Sequence, residues 1–199
     1  MRCAHRHPLA PSTRACDAAS NAMLRALLDI ARAEDDEREG RAASLDALAA
    51  SIEARCDDVR SELRRGGGAT LDVTCGGVVA ATTHLVSEIG AGAFATLASA
   101  SSAAAKGGAN GAADAAVATA ARRIKDALAG VVAAASAFDA GDATAAAADV
   151  SARCGGAADE DVLREVLKNV AAAHEETFEA VATRGGRLIA HLGAIADAE

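Results

Sequence analysis

Apolar positions recur at alternating steps of three and four residues along the last part of the chain, residues 159–199. Side chains with this spacing lie on one side of an α-helix. Run as one rod, the stretch is about 60 Å long at 1.5 Å per residue. Alternatively, Gly185-Gly186 breaks or bends it, because each glycine costs about 1 kcal/mol relative to alanine inside a helix. The stripe consists of Leu163, Leu167, Val170, His174, Phe178, Val181, Gly185, Leu188, Leu192 and Ile195.

Two earlier helices are expected to cover this stripe. Residues 17–33 carry a broad apolar face, and the charged run 34–40 that follows predicts a solvated loop. Ser44 is placed to cap a second helix, which the glycine triplet 66–68 ends. The short connection predicts an antiparallel hairpin. The seam of the second helix is Leu45, Leu48, Ile52, Cys56, Val59 and Leu63.

The middle of the chain is less regular. Residues 69–75 alternate weakly and suit an extended segment, after which Thr74 is placed to cap a helix that Gly90 and Gly92 interrupt. The Ala/Gly/Ser-rich stretch at about 98–113 is low in complexity and predicts a loop or a frayed helix.

A fourth helix is predicted over residues 117–132, and Asp142 is placed to cap a short alanine-rich helix after it. No alternation of strands and helices exists that would build a parallel sheet. The predicted fold is therefore all-α: a single bundle of five to seven helices over residues 16–199, with a long C-terminal helix.

Composition limits the function. Much of the 51% hydrophobic content is alanine, and the chain has three Phe, no Tyr and no Trp. Alanine favours helix without filling a core, so we expect a thin core that a protein partner or oligomer completes. A net charge of −8, with no basic stripe, argues against nucleic acid. The sequence also lacks the roughly 18 consecutive apolar residues that indicate a membrane span.

Five cysteines are scattered, with no C-x-x-C pair and no regular His/Cys spacing. This arrangement predicts neither a metal site nor a disulfide framework, and no cofactor is expected. The thiols suit a reducing, cytoplasmic location. Residues 1–15 are basic and contain no acid, which predicts a disordered tail or, alternatively, an organelle-targeting segment. The cysteines are Cys3, Cys16, Cys56, Cys75 and Cys154.

Two features invite a chemical interpretation. His84 precedes Glu88 by one turn, which suits a base and its orienting carboxylate or, alternatively, a surface contact. His174 lies in an H-E-E run that lacks the second histidine of a zinc-binding helix. Glycines at a helix start expose backbone amides to an anion, or simply relax a turn. We predict no catalytic or metal-binding residue. A possible anion or partner site comprises Thr74, Cys75, Gly76, Gly77 and His84.

Several segments resemble the N-terminal helical domain of the alpha-type (alpha/beta/delta) regulatory subunits of translation initiation factor 2B. DAAS at 17–20, leading into LRALL at 24–28, resembles their first helix, and 44–59 resembles their second. LDVTCGG at 71–77 is similar to the extended segment and glycine turn that follow, and 178–190 to the long closing helix. The stretch 98–158 has no counterpart.

This resemblance implies a subunit of the guanine-nucleotide exchange factor for translation initiation factor 2. The chain would then be the helical domain without the Rossmann-like domain that follows it in the family. We expect a non-catalytic regulatory module that binds initiation factor 2 or other subunits of the exchange factor. Arg184, Arg187 and His191 are a possible partner face. The alternatives are a stand-alone helical scaffold or stress-type protein, and an enzyme that binds an anionic substrate at the helix start.

Overall fold

A computed structural model describes residues 11–66, 71, 73–106 and 111–197 of the chain. Six α-helices and one π-helical turn make up nearly all of this described part, which contains no strand. The predicted all-α fold with a long C-terminal helix is confirmed. The helices are α1 (Pro11–Gly66), α2 (Val73–Glu88), α3 (Phe94–Lys106), α4 (Gly111–Ser136), α5 (Ala143–Arg153) and α6 (Glu160–Ala196).

The chain divides into two compact units, Met1–Ala43 and Ser44–Glu199. The described part of the first unit is helical, belongs to α1 and begins at Pro11, a residue that suits the first helical position. Leu27 and Leu28 are exposed there. The predicted tail 1–15 lies outside the described residues as far as residue 10, and its last five residues are helical.

The predicted loop at 34–40, the cap at Ser44 and the antiparallel hairpin are all wrong, because α1 is continuous through them. Glutamate and arginine are good helix formers, and the Nη2 atom of Arg41 lies 2.8 Å from the Oε1 atom of Glu37, one turn earlier. The charged run is therefore a solvated helix rather than a loop. The end of α1 at Gly66 agrees with the predicted glycine stop.

In the second unit, residues from α1, α2, α3, α4 and α6 share one apolar core. Leu45, Ile52, Cys56 and Leu63 of the predicted seam are buried in it. The largest fully buried side chains of the unit are Leu85, Ile89, Leu97, Ile124, Leu128 and Leu192. Many of the smaller buried positions are alanines, so the helices approach one another closely, as the composition suggests.

Helices α4 and α6 pack against each other in opposite directions. Arg122 of α4 donates a hydrogen bond to the carbonyl of Ala196, whereas Val132, ten residues later in α4, faces Gly185 of α6. A Cβ atom at Gly185 would clash with Cγ2 of Val132, while one at Gly186 would meet open space. Helix α6 continues through both glycines, so Gly185 allows close packing and does not break the helix.

Helices α2 and α3 form one path that a π-helical turn interrupts at Ile89–Ala93. The turn contains Gly90 and Gly92, the two residues predicted to interrupt this helix. A Cβ atom at Gly90 would lie 3.4 Å from Cδ1 of Leu188 in α6. Such turns insert one extra residue into a helix, and here small residues leave room for it.

The Ala/Gly/Ser-rich stretch is helical wherever it is described. Residues 98–106 belong to α3 and 111–113 to α4, while 107–110 lie outside the described residues. Asp142 caps α5 as predicted, because its side chain accepts a hydrogen bond from the amide of Thr144 at 2.8 Å. Helix α5 ends at Arg153, and Gly155 and Gly156 shortly after it both have positive φ.

Asp159 caps α6 by accepting hydrogen bonds from the amides of Asp161 and Val162. The structure packs α6 against α4, α5 and α2. The expectation that a hairpin of the first two helices covers the C-terminal stripe is therefore wrong, because that hairpin does not form. Helix α5 forms a second, smaller apolar cluster in which Ala146 packs with Leu167 and Ala171 of α6.

Within the described residues, the helical stretch Gly76–Ser102 is long and apolar enough to cross a membrane by length and composition. A third of its most apolar window is buried inside the protein. Helices buried in a protein core pass the same test, so this feature assigns no membrane role.

Candidate interaction surface

One face of α6 is exposed along most of the helix. At 3.6 residues per turn, its eight positions fall within about 60° of one another around the axis, and all eight are exposed. We call it the α6 outer face. It consists of Val162, Val166, Asn169, Ala173, Ala180, Arg184, Arg187 and His191.

The first half of this face is apolar apart from Asn169. Val162 and Val166 are 60% and 53% exposed, and Val170 at the edge of the face is 37% exposed. They are exposed because they lie on the side of α6 that also carries the exposed Arg184, Arg187 and His191, away from the side that packs on the bundle. Beyond α4, the short helix α5 packs on the side of α6 that carries Leu167, and the valines face away from it.

The second half of the face is basic. Arg184 and Arg187 are exposed and form no ion pair with any described residue. His191 is exposed as well, and its ring lies against that of Phe94 with centroids 5.5 Å apart. The structure therefore brings the three residues of the possible partner face to one side of α6, in line with the exposed valines.

His84 and Glu88 form the contact that their spacing suggested. His84 is 74% exposed, and its Nδ1 atom lies 3.3 Å from the Oε2 atom of Glu88. However, both carboxylate oxygens of Glu88 also accept hydrogen bonds of 2.5 Å from Arg55. These bonds lower the pKa of Glu88. Its carboxylate thus joins α1 to α2, and the pair fits the surface-contact interpretation better than a catalytic one.

The residues of the possible anion site are spread along α2 and do not form one cluster. Helix α2 begins at Val73, so Thr74, Cys75, Gly76 and Gly77 are its second to fifth residues. The predicted cap at Thr74 and the predicted extended conformation of residues 73–75 are therefore wrong. His84 lies seven residues beyond Gly77, about 10 Å along the axis. One small anion cannot contact both the helix start and the imidazole.

A second ion-pair cluster, not foreseen from the sequence, joins α1 to α4. Arg123 donates to both oxygens of Glu53 and to Asp46, at 2.5 to 2.8 Å. The hydrogen bonds with Arg123 lower the pKa of Glu53, and those with Glu53 raise the pKa of Arg123. Seventy residues separate these partners, so spacing along the chain gives no signal for the pairing.

The remaining candidate groups do not converge. His174 is half-buried in α6, and the described residues contain no group of three or more His, Cys, Asp or Glu side chains that could hold a metal ion. Cys56 is buried, and burial raises the pKa of its thiol to about 11. Cys154 is exposed at the end of α5.

Sequence reasoning missed Val162 and Val166 as surface residues. A signal was present, since both lie outside the three-and-four stripe and are four residues apart, and therefore point to neighbouring directions. No protein-family model, curated protein or solved structure matches the chain.

Proposed function

We propose that this chain is a non-catalytic helical regulatory module that binds a protein partner through the α6 outer face. The observation that carries the proposal is the exposed row of Val162 and Val166 in line with Arg184 and Arg187. Exposed apolar side chains that form a contiguous patch mark interaction sites more often than scattered ones do. A basic cluster in a chain of net charge −8 further favours a contact surface.

The chemistry of this face defines the partner. From Val162 to His191 the face extends about 44 Å along the helix axis. A partner helix laid along it would place apolar side chains on the valines and acidic side chains on the arginines. The apolar end would contribute affinity, while charge complementarity at the basic end would fix the direction of the partner helix.

The resemblance to the regulatory subunits supplies a candidate partner. We propose translation initiation factor 2, or another subunit of its exchange factor, as the protein that carries this helix. The resemblance includes residues 178–190, which contain both arginines of the basic end. On this proposal the chain contributes binding, and no chemical step takes place on it.

Binding to purified initiation factor 2 and purified exchange-factor subunits, measured by calorimetry, tests the proposal. We expect Val166→Asp and Arg187→Glu each to weaken binding at least tenfold. Ala148→Asp, at an exposed position on α5, is the control for the first variant. Lys168→Glu, exposed on α6 but outside the outer face, makes the same charge change as the second.

Equal weakening by the controls, or unchanged binding by both face variants, would contradict the role of this face. Absence of binding to every one of these factors would contradict the translational role. Size-exclusion chromatography with light scattering tests the alternative that the chain is a stand-alone helical scaffold. If the chain forms oligomers that Val166→Asp dissociates, the scaffold function replaces regulation of a separate partner.

A further inference from the structure

A groove with a volume of about 460 Å³ lies between the C-terminal parts of α1 and α4. It is independent of the α6 outer face. Small residues of α4 form its floor, a leucine and a phenylalanine complete its apolar lining, and two arginines of α1 line it as well. We call it the arginine groove. Its lining residues are Arg60, Leu63, Arg64, Gly130, Ala133, Ala134, Ala137 and Phe138.

The groove follows from how the two helices run. Arg123 contacts Glu53, and seven residues further along each helix Arg60 lies over Gly130, so α1 and α4 run side by side in the same direction. A Cβ atom at Gly130 would lie 3.1 Å from Nη1 of Arg60. Glycine and alanine in this part of α4 leave space that larger side chains would fill. The ring of Phe138 is held by that of Phe178, with centroids 4.8 Å apart.

The charges of the groove have one sign. Among the described residues that line it, Arg60 and Arg64 carry the charge, and they lie one helical turn apart on α1. Arg60 has a hydrogen bond of 2.6 Å to Asp57 on its own helix. Arg64 forms no ion pair with a described residue. By contrast, Arg55 and Arg123 are each held by carboxylates of another helix.

We propose that the arginine groove binds a free fatty acid of medium chain length. Its carboxylate would lie between Arg60 and Arg64, since a guanidinium matches a carboxylate with two parallel hydrogen bonds. Its chain would follow the alanine floor towards Phe138. The floor from Gly130 to Ala137 is about 10 Å long, and the groove volume lies within the range of roughly 300–1,000 Å³ typical of small-molecule sites.

Calorimetric titration with sodium decanoate, at concentrations where it stays monomeric, tests the proposal. Decan-1-ol and decyltrimethylammonium carry the same chain with a neutral and a positive head. We expect decanoate to bind at least tenfold more tightly than either. Arg64→Gln should weaken decanoate binding at least tenfold. Arg65→Gln should not, because Arg65 is exposed, pairs with Glu62 and does not line the groove.

A second pair of variants tests the path of the chain. Ala133→Leu narrows the floor and should weaken decanoate binding, whereas Ala129→Leu, exposed on α4 outside the groove, should leave it unchanged. Circular dichroism at 222 nm confirms that each variant is folded. The proposal is overturned if decanoate does not bind, if all three head groups bind alike, or if Arg65→Gln and Ala129→Leu reduce binding as much as their counterparts.

Discussion

The two halves of α6 share one apolar periodicity and differ in what covers them. In the second half, Phe178, Val181, Leu192 and Ala196 are buried against the bundle. In the first half, Leu163 and Leu167 are half-buried, and the valines beside them are exposed. The chain repeats the same helical pattern in both halves, yet the second half belongs to the main core and the first half only to the smaller cluster around α5.

The difference shows that periodicity determines which residues share a side of a helix, while neighbouring helices determine how much of that side is buried. The second half packs antiparallel on α4, with Arg122 beside Ala196 and Val132 beside Gly185. The first half packs on the 11 residues of α5. Apolar residues that lack cover are available for contact with another molecule.

Equivalent leucine truncations in the two halves should give the largest contrast. Leu192→Ala removes a fully buried side chain and should lower the free energy of unfolding by about 2–5 kcal/mol, because it leaves a cavity. Leu163→Ala, where the side chain is half-buried, should cost less than about 2 kcal/mol. Urea unfolding followed by circular dichroism at 222 nm measures both. Equal losses would mean that the two halves are equally covered.

Alanine at each of the adjacent glycines probes the contact with α4. Gly185→Ala should destabilise the protein by about 1–3 kcal/mol, since the new methyl group meets Val132. Gly186→Ala should stabilise it by up to about 1 kcal/mol, because open space lies beside it and alanine favours helix. Two changes of the same sign and size would contradict the close approach at Gly185.

Acid should weaken the ion pair between Glu53 of α1 and Arg123 of α4. Helix α4 is the helix that covers the second half of α6. The pKa of Glu53 is lowered by its hydrogen bonds with Arg123. The stability that it contributes is therefore present above the unfolded-state pKa of about 4.3 and is lost as pH falls through the lower folded-state pKa. Glu53→Gln should be less stable than wild type at pH 7, and the difference should shrink below about pH 4. A constant difference down to pH 2 would contradict this pairing.

The alkylation rates of two cysteine thiols measure how well the surrounding helices cover each of them, and this test needs no substitution in the chain. Cys154 is exposed beside the start of α6, whereas Cys56 is buried in the bundle with its pKa raised to about 11. At pH 8, iodoacetamide should modify Cys154 rapidly and Cys56 only after denaturation, because the thiolate is the reactive form. Peptide mapping by mass spectrometry distinguishes the two sites. Rapid modification of Cys56 in the folded protein would show that the bundle is more open than described.

Local signals in the sequence predicted much of the fold. The seam of α6, the cap at Asp142 and the interruption at Gly90 and Gly92 each depend on a few neighbouring residues. The structure confirms them, except that Val170 of the seam is exposed. The continuity of α1 was missed, because a charged run suits both a loop and an exposed helix. The cover of α6 and the pairing of Arg123 with Glu53 were missed because they depend on helices far apart in the sequence.

The α6 outer face itself was half predicted. Arg184, Arg187 and His191 were singled out and lie together on an exposed side of the helix. Val162 and Val166 were missed, although their place outside the three-and-four stripe indicates a separate side of the helix. The arginine groove could not be predicted, because it exists where small residues of α4 face α1, far away in the sequence.

The most direct test compares Val166→Asp with Val181→Asp in one unfolding and binding experiment. Val166→Asp should change the free energy of unfolding by less than about 0.5 kcal/mol, as an exposed surface change does, while weakening binding of the protein partner at least tenfold. Val181→Asp should lower it by several kcal/mol, because an unpaired charge is buried. A large loss of stability for Val166→Asp, or partner binding that Val166→Asp leaves unchanged, would contradict the account.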